Sequence, residues 1–358
     1  MIGSIEVSER PGLPTAEPEN PHPFNLTDDD RKRIHIVSGQ VYPELAQSTA
    51  DILGVPLRQV DLDVFADGEL YVRHGETVRR RHVYVFQSHI SSPGFSVDQA
   101  FKQQTLLIRA AKEAGAAEAI AVTPCLPYQR QDRKSRNREA TSSAATMQEY
   151  EVAGTDTLIV TDLHAAQEQA FFRGACIHLT AFFELNRIMK KIMGGNDPDD
   201  YRVVAPDTGR ATNARSHANH LGTKMAMIWK SRDLDTRDSV ESVEVLGDVK
   251  GKTCFISEDI IGTGGTLYKG ATALLEAGAA NIIVFATHGQ FTEGADKKLG
   301  ANSPIESIYI TNTFPQAQNI GRIANLNVID LSPLYAKTIA HNETGESIHE
   351  IYDENYAI

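Results

Sequence analysis

The segment 253–267, with the sequence TCFISEDIIGTGGTL, constrains this chain more than any other feature. It begins as a short apolar run suited to a buried strand and passes two adjacent carboxylates, Glu258 and Asp259. It then becomes a loop of Gly and Thr, and residues 267–277 follow with a helical pattern. A strand that leads through a Gly-rich turn into a helix is the repeating unit of α/β folds. The segment therefore predicts an α/β protein with a ligand site at this turn.

The loop formed by Thr263, Gly264, Gly265 and Thr266 has the chemistry of a phosphate site. Glycines let backbone N–H groups close around an anion, Thr hydroxyls add donors, and the positive end of the following helix points at the bound group. No Lys follows the glycines as in a P-loop, and the spacing is not that of a dinucleotide fingerprint. On the loop alone, a simple tight turn is an equally good interpretation.

The acidic pair that precedes the loop favours a site over a tight turn. Glu258 and Asp259 would repel a phosphate, but a carboxylate can accept hydrogen bonds from two vicinal hydroxyls of a neutral polyol. The combination predicts a ribose held by the acidic pair, with its 5-phosphate in the loop.

Composition limits the class of protein and its partners. The chain has 358 residues, 41% of them hydrophobic, which is enough for two domains with their own cores. The net charge of -12 argues against a nucleic-acid partner, since such binding needs a basic surface. Three widely spaced cysteines, Cys125, Cys176 and Cys254, indicate reduced core thiols. With no apolar run long enough to cross a bilayer and no signal-peptide pattern, we expect no membrane partner and a cytoplasmic location.

The order of elements indicates parallel sheets. Residues 1–32 are polar and proline-rich, and we expect a flexible or loosely docked extension there. A helix is predicted at 43–53, and helical patterns separate most of the predicted strands. The predicted strands are 34–37, 83–87, 119–124, 157–161, 202–205, 225–229, 253–256, 282–287 and 307–311. This alternation predicts helices on both faces of parallel sheets, with ligands at the carboxyl ends of the strands.

Polar or charged groups follow several of these strands. The densest basic cluster of the chain is the segment 128–138, which suits polyphosphate because Arg pairs bidentately with phosphate oxygens, although a solvated surface would have the same composition. Three further strand ends carry candidate groups, namely Asp162 and His164, Asp207, and Lys230 with Arg232.

Several motifs in one order identify a family. The chain resembles ribose-phosphate pyrophosphokinases over most of residues 33 to 352. The matching motifs are FADGE at 65–69, YQRQDRK at 128–134, DLHAAQ at 162–167, GDVKGKT at 247–253, TNT at 311–313 and HNETGES at 341–347, the last with a small insertion. The resemblance implies two tandem phosphoribosyltransferase-like domains, 33–178 and 179–358, each a mostly parallel sheet flanked by helices.

The resemblance also implies a reaction, in which pyrophosphate passes from Mg-ATP to the 1-hydroxyl of ribose 5-phosphate and AMP is released. Mg²⁺ is the implied cofactor, and the implied assembly is a homo-oligomer, a hexamer built from dimers. The implied ATP-binding residues are Arg130, Gln131 and His164, with Phe65, Asp67 and Glu69 framing adenine from a neighbouring subunit. The implied ribose-phosphate residues are Asp207, Glu258, Asp259, Thr263, Gly264, Gly265 and Thr266. The implied catalytic pair is Lys230 and Arg232 on a mobile loop, and the implied metal positions are His164 and Asp207. Without the resemblance, Phe65 would be expected as a buried strand residue.

Three positions depart from the family pattern. Gly262 stands where an acidic residue is usual, Arg210 follows Gly209 where a second glycine is usual, and Ala140 with Thr141 replace a usual Pro-Ile pair. The first two lie in substrate loops. They leave open two alternatives to an active ribose-phosphate pyrophosphokinase: a non-catalytic paralogue that regulates a synthetase by co-assembly, and a pyrophosphokinase with another ribose-phosphate acceptor, such as ADP-ribose.

Overall fold

The chain is described here by a computed structural model, which covers residues 24–91, 94–232 and 241–352. The strands in these ranges are β1 (Ile34–Ser38), β2 (Val60–Val64), β3 (Leu70–His74), β4 (His82–Phe86), β5 (Glu118–Thr123), β6 (Thr157–Thr161), β7 (Ala175–Leu179), β8 (Tyr201–Ala205), β9 (Lys224–Arg232), β10 (Glu241–Leu246), β11 (Thr253–Ile261), β12 (Asn281–Gly289), β13 (Ser307–Thr311) and β14 (Leu326–Ile329). The helices are α1 (Asp28–Arg33), α2 (Pro43–Leu53), α3 (Val97–Glu113), α4 (Ser142–Ala153), α5 (Phe182–Met193), α6 (Ala211–Leu221), α7 (Gly265–Glu276), α8 (Ala295–Leu299) and α9 (Ser332–Thr344).

Two sheets form the two halves of the fold. The N-terminal sheet has the order β1-β4-β5-β6-β7, and all of its pairings are parallel. The C-terminal sheet has the order β10-β9-β8-β11-β12-β13-β14, in which only β10 runs antiparallel to its neighbour. Strands β1, β6 and β8 are buried along their whole length, as expected where helices cover both faces of a parallel sheet. The predicted α/β class with mostly parallel sheets is confirmed.

Every predicted strand is present, but some bounds differ. Strand β11 continues to Ile261, past the acidic pair that was expected to follow it, and α7 begins at Gly265 inside the loop. The pairing of Ile260 and Ile261 with β12 explains the longer strand, because this pairing is a tertiary contact that the local sequence does not reveal. Strands β2, β3, β7, β10 and β14 were not predicted from the sequence. Of these, β2 and β3 form a separate antiparallel hairpin, and neither contains a fully buried residue.

The last helix of the C-terminal half packs on the N-terminal half. Helix α9 contacts α2, and the buried rings of Phe86 and Tyr335 meet edge to face with centroids 6.0 Å apart. Glu343 on α9 accepts hydrogen bonds from Tyr84 at 2.7 Å and contacts Nδ1 of His82 at 2.9 Å. One hydrophobic core therefore contains residues from both sheets, and the domain limits 33–178 and 179–358 remain a prediction.

Part of the expected N-terminal extension is folded. Residues 1–23 lie outside the described ranges. Beyond them, Leu26 is buried, and Thr27 caps α1 through a capping box with Asp30. Among the residues covered by the structure, no helix is long and apolar enough to cross a membrane.

Candidate active site

A cavity of about 450 Å³ opens at the carboxyl ends of β8 and β11, where the C-terminal sheet faces the loops of the N-terminal half. This is where the rule for open α/β sheets puts a ligand. The predicted site residues that line it are Arg130, His164, Asp207, Glu258, Asp259, Thr263, Gly264, Gly265 and Thr266. Residues that follow strands of both sheets are thus brought to one cavity.

The loop at the floor of the cavity has the geometry of an anion site. Gly264 has a φ of +70° and is the N-cap residue of α7, with no side chain capping the helix. The first turn of α7 contains no acidic residue, so its free N–H groups can meet a phosphate. A Cβ atom on Gly264 would lie only 2.6 Å from Cδ1 of Leu299. Glycine is therefore required at this position both by the backbone conformation and by the close approach of α8.

The acidic pair is buried at the edge of the cavity. The side chains of Glu258 and Asp259 are 12% and 7% exposed. Burial raises the pKa of Glu258, and the neighbouring Asp259 raises it further. Burial also acts to raise the pKa of Asp259, but hydrogen bonding to His164 and the charge of Arg210 outweigh it and hold this pKa below its ordinary value. The surroundings thus push the two pKa values apart, upward for Glu258 and downward for Asp259.

His164 comes from the N-terminal half and reaches the acidic pair. Its Nδ1 lies 2.6 Å from Oδ2 of Asp259, and its backbone N–H donates to Oε1 of Gln129 at 2.9 Å. The preceding loop is held by Asp162, whose Oδ2 accepts from Oγ1 of Thr287 at 2.6 Å. These contacts fix the imidazole at the junction of the two sheets.

Arg210 is a cavity residue whose functional place the sequence did not reveal. Its NH2 lies 3.0 Å from Oδ2 of Asp259 and 2.9 Å from Nδ1 of His164, and its Nε lies 3.9 Å from Oε1 of Glu258. The side chain is only 14% exposed. Asp207 sets this position, because its Oδ1 accepts from the backbone N–H of Arg210 at 3.2 Å. The position of Arg210 beside Gly209, after strand β8, was the only sign in the sequence that it belongs to the site. The sequence did not indicate where its side chain would point.

Arg130, Gln290 and Thr292 form another part of the wall. Arg130 donates from NH2 to the carbonyl oxygen of Ile260 at 2.9 Å, which places a second guanidinium at the cavity. Gln290 and Thr292 also line it and were not predicted. Both follow β12, so the rule that ligands bind at strand ends could have found them.

Several predicted residues lie away from the cavity. Phe65, Asp67 and Glu69 belong to the turn between β2 and β3, and none of them lines the cavity. Phe65 is 51% exposed, so the expectation of a buried strand residue is wrong. Gln131 does not line the cavity either, and its Oε1 accepts from Oγ of Ser142 at 2.5 Å.

The predicted catalytic pair lies at the end of β9. The backbones of Lys230 and Arg232 pair with Val243 and Glu241 of β10. The positions of these two side chains lie outside what the structure describes, as do residues 233–240.

Asp207 and His164, the predicted metal positions, both line the cavity, as do the carboxyl groups of Glu258 and Asp259. Oδ1 of Asp207 accepts one backbone hydrogen bond, and Oδ2 makes none with the described residues. In the same ranges, no group of three or more His, Cys, Asp or Glu side chains could hold a metal ion by itself. This donor set fits an ion such as Mg²⁺ that keeps several waters and is held largely by substrate phosphates.

The C-terminal half has a phosphate cradle after a central strand and an acidic pair just before the cradle. The N-terminal half contributes an Arg and a His to the same cavity. Together these features define a phosphoribosyl-binding protein with two α/β halves. Residues 34–154 match the family model described as the N-terminal domain of ribose phosphate pyrophosphokinase, and residues 238–353 match that of the phosphoribosyl synthetase-associated domain. The chain belongs to the ribose-phosphate pyrophosphokinase family.

Similar proteins cover most of the chain. It is 34% identical over 323 residues to a ribose-phosphate pyrophosphokinase from Streptomyces coelicolor, covering 90% of this chain and 97% of that protein. It is 36% identical over 328 residues to one from Mycobacterium tuberculosis (strain ATCC 25618 / H37Rv), with coverages of 91% and 97%. The crystal structure of phosphoribosylpyrophosphate synthetase from Mycobacterium smegmatis matches with a TM-score of 0.80 and 34% identity, over 87% of this chain and 99% of that one.

Proposed function

We propose that this chain is an active ribose-phosphate pyrophosphokinase, which converts ATP and ribose 5-phosphate to phosphoribosyl pyrophosphate and AMP for nucleotide biosynthesis. The observation that carries the proposal is the cavity itself, where the cradle and acidic pair of the C-terminal half meet Arg130 and His164 of the N-terminal half. A sugar phosphate and a polyphosphate can thus be bound side by side.

Each part of the acceptor has a matching group. The 5-phosphate binds the backbone N–H groups and hydroxyls of residues 263–266, and the ribose hydroxyls donate to Glu258 and Asp259. Ribose has its phosphate at one end and C1 at the other, so C1 lies beyond the acidic pair, on the side of Asp207 and His164. Arg130, whose NH2 donates to the carbonyl oxygen of Ile260 beside the acidic pair, binds the phosphates of ATP, and Gln131 stands one residue further along the same turn.

The reaction is a substitution at phosphorus. The 1-hydroxyl oxygen forms a bond to the β-phosphorus of ATP, and the bond from that phosphorus to the oxygen bridging the α- and β-phosphates breaks. AMP leaves with this oxygen, and the hydroxyl proton passes to solvent. Asp207 and His164 would hold Mg²⁺ together with the phosphates of ATP, and the ion would supply positive charge to those phosphates.

Lys230 and Arg232 are proposed as the catalytic pair. They end β9, the strand beside β8, and a polar segment follows them. Positive charge that reaches the β-phosphoryl group only in the transition state would raise turnover. Closure of the segment that carries the pair over bound ATP would exclude water. Alanine at Lys230 should therefore lower kcat by on the order of a hundredfold, with a smaller effect on KM.

We also propose that the active form is a homo-oligomer, a hexamer built from dimers. The hairpin of β2 and β3 presents three large hydrophobic side chains to solvent, Val64, Phe65 and Tyr71. Such side chains suit contact with a neighbouring subunit, where Phe65, Asp67 and Glu69 would frame adenine. We propose a cytoplasmic location, which the three free cysteines support, and neither a nucleic acid nor a membrane as partner.

The test is AMP release from Mg-ATP with and without ribose 5-phosphate, with the product identified by mass. We expect ribose-dependent AMP formation and a C1-diphosphorylated product, both strongly reduced in Lys230→Ala. A folded protein that binds ATP but forms no AMP would be a non-catalytic paralogue. If AMP forms with ADP-ribose but not with ribose 5-phosphate, the enzyme uses another acceptor.

A further inference from the structure

Arg210 places a guanidinium inside the cavity, at the edge of the acceptor site. It lies 3.0 Å from Asp259 and 3.9 Å from Glu258, the two carboxyl groups proposed to hold the ribose hydroxyls. It also lies 2.9 Å from Nδ1 of His164. A cation that is 86% buried among these groups is part of the site, since burial of a charge requires paired partners.

The direction of the bound sugar decides which part of the acceptor this cation faces. With the 5-phosphate in the cradle at 263–266 and the 2- and 3-hydroxyls at the acidic pair, C1 points away from the cradle. Arg210 approaches the acidic pair from the turn at 208–210, which follows β8 rather than β11. Its NH2 lies 2.9 Å from Nδ1 of His164 and its backbone N–H donates to Asp207, the two residues beside which C1 is placed, so the guanidinium lies on the C1 side of the sugar, where the transferred pyrophosphate becomes attached.

Arg210 has a hydrogen-bond donor left for the pyrophosphate group. Its NH2 contacts Asp259 and His164, and its Nε faces Glu258, whereas NH1 makes no hydrogen bond to any residue in the described ranges. An Arg fork can bind a carboxylate through one nitrogen and phosphate oxygens through another. Asp259 would thereby hold the guanidinium in place for a phosphate ligand.

We propose that Arg210 is a further catalytic residue, which contacts the pyrophosphate group on C1 as it is transferred and holds it in the product. This inference rests on the proposed function, because it requires the acceptor to be bound in that direction. Arg210 becomes more important as the reaction proceeds, since ribose 5-phosphate carries no charge at C1 and phosphoribosyl pyrophosphate does. The ligand class that Arg210 recognises is therefore a diphosphate ester at C1.

The test compares the binding of two ligands by calorimetry in the presence of Mg²⁺: ribose 5-phosphate and phosphoribosyl pyrophosphate. For Arg210→Gln we expect roughly a 10- to 100-fold loss of affinity for phosphoribosyl pyrophosphate. Affinity for ribose 5-phosphate should stay within about threefold, or increase, because Asp259 is no longer shared with a cation. Arg210→Lys should recover part of the loss, since Lys supplies charge without the planar fork. Arg215→Gln, an exposed position on α6, is the matched control and should bind both ligands as wild type does.

The outcomes separate the roles that Arg210 can have. An equal loss for both ligands would mean that Arg210 only orders the acidic pair, and a gain for both would mean that it blocks the site. Either result overturns the inference. If wild type releases AMP but Arg210→Gln binds phosphoribosyl pyrophosphate normally, only the inference fails. If wild type releases no AMP yet Arg210→Gln loses that ligand selectively, the proposed activity fails and the contact stands. A wild type that binds neither ligand overturns both.

Discussion

Oδ2 of Asp259 lies 2.6 Å from Nδ1 of His164 and joins the two halves of the cavity. The same oxygen lies 3.0 Å from Arg210. Asp259→Asn removes the charge that both neighbours use and leaves a buried guanidinium without its partner. We expect the free energy of unfolding to fall by about 1–3 kcal/mol and the affinity for ribose 5-phosphate to fall at least roughly tenfold. Thermal unfolding and calorimetry measure the two effects.

The double variant Asp259→Asn with Arg210→Gln identifies the cause of the stability loss. If the unpaired guanidinium is responsible, Asp259→Asn should cost less in the Arg210→Gln background than in wild type, with a coupling energy of about 1 kcal/mol or more. Additive losses would contradict this explanation and assign the cost to His164 instead.

The loop at 263–266 and the acidic pair, which line one cavity, could be named as candidates from local chemistry alone. Thr263 to Thr266 and Glu258 with Asp259 are adjacent in sequence, and their residue types state which ligand groups they suit. The same holds for the parallel strands, whose apolar runs follow directly from burial on both faces. These features need no knowledge of distant contacts.

The place of Arg210 could not be predicted from its own segment. Its charge is paired by Asp259, which is distant in sequence, and its approach depends on how β8 lies beside β11. The core shared by α9 and the N-terminal sheet likewise depends on contacts between residues that are far apart in sequence.

The hairpin of β2 and β3 was also missed, although its signal is present in the sequence. Val60 and Leu62 alternate with Asp61 and Asp63, which is a strand pattern, and these apolar side chains pack partly buried against the core of the N-terminal sheet.

Gly264→Ala should disable the phosphate cradle. The backbone at φ +70° disfavours any side chain by about 1–2 kcal/mol, and the new methyl group would overlap Leu299. We expect a loss of about 2–4 kcal/mol in the free energy of unfolding and a strong loss of ribose 5-phosphate binding. Chemical denaturation and calorimetry provide the measurements.

Gly251→Ala is a matched control for that substitution. Gly251 also has a φ of +70°, but a Cβ atom there would meet nothing within 4 Å, and the residue lies outside the cavity. Its replacement should cost only the backbone strain, about 1–2 kcal/mol, and should leave ligand binding unchanged. Equal losses in the two variants would show that the contact with Leu299 has no effect.

Gly262 can accept a side chain, so its glycine is not a requirement of the backbone. A Cβ atom would lie 3.7 Å from NH1 of Arg130 and 3.9 Å from Oγ1 of Thr292, which are ordinary contacts. Gly262→Ala should leave stability within about 0.5 kcal/mol of wild type. Gly262→Asp restores the residue type that is usual at this position in the family, so we expect the KM for ATP to stay within about threefold of wild type. A rise of about tenfold or more would contradict this expectation and would mean that the carboxylate competes with ATP phosphates for Arg130.

A pH dependence of stability is expected from the contact between the two halves at His82 and Glu343. Nδ1 of His82 lies 2.9 Å from Oε1 of the buried Glu343. Hydrogen bonding to Glu343 raises the pKa of His82, although burial acts to lower it. Because the folded pKa lies above the unfolded value of about 6.5, this stabilisation is fully present below that pH and is lost as pH rises through the folded pKa.

His82→Gln should therefore lower the free energy of unfolding by about 1 kcal/mol below pH 6, and by less above pH 8. The quantity to measure is the difference between wild type and variant in denaturant unfolding at several pH values, since other groups titrate in both proteins and cancel. His349→Gln, at an exposed histidine, is the control and should give a small, flat difference. A difference for His82→Gln that is constant with pH, or that grows as pH rises, would mean that the ion pair with Glu343 does not stabilise the contact between α9 and the N-terminal sheet.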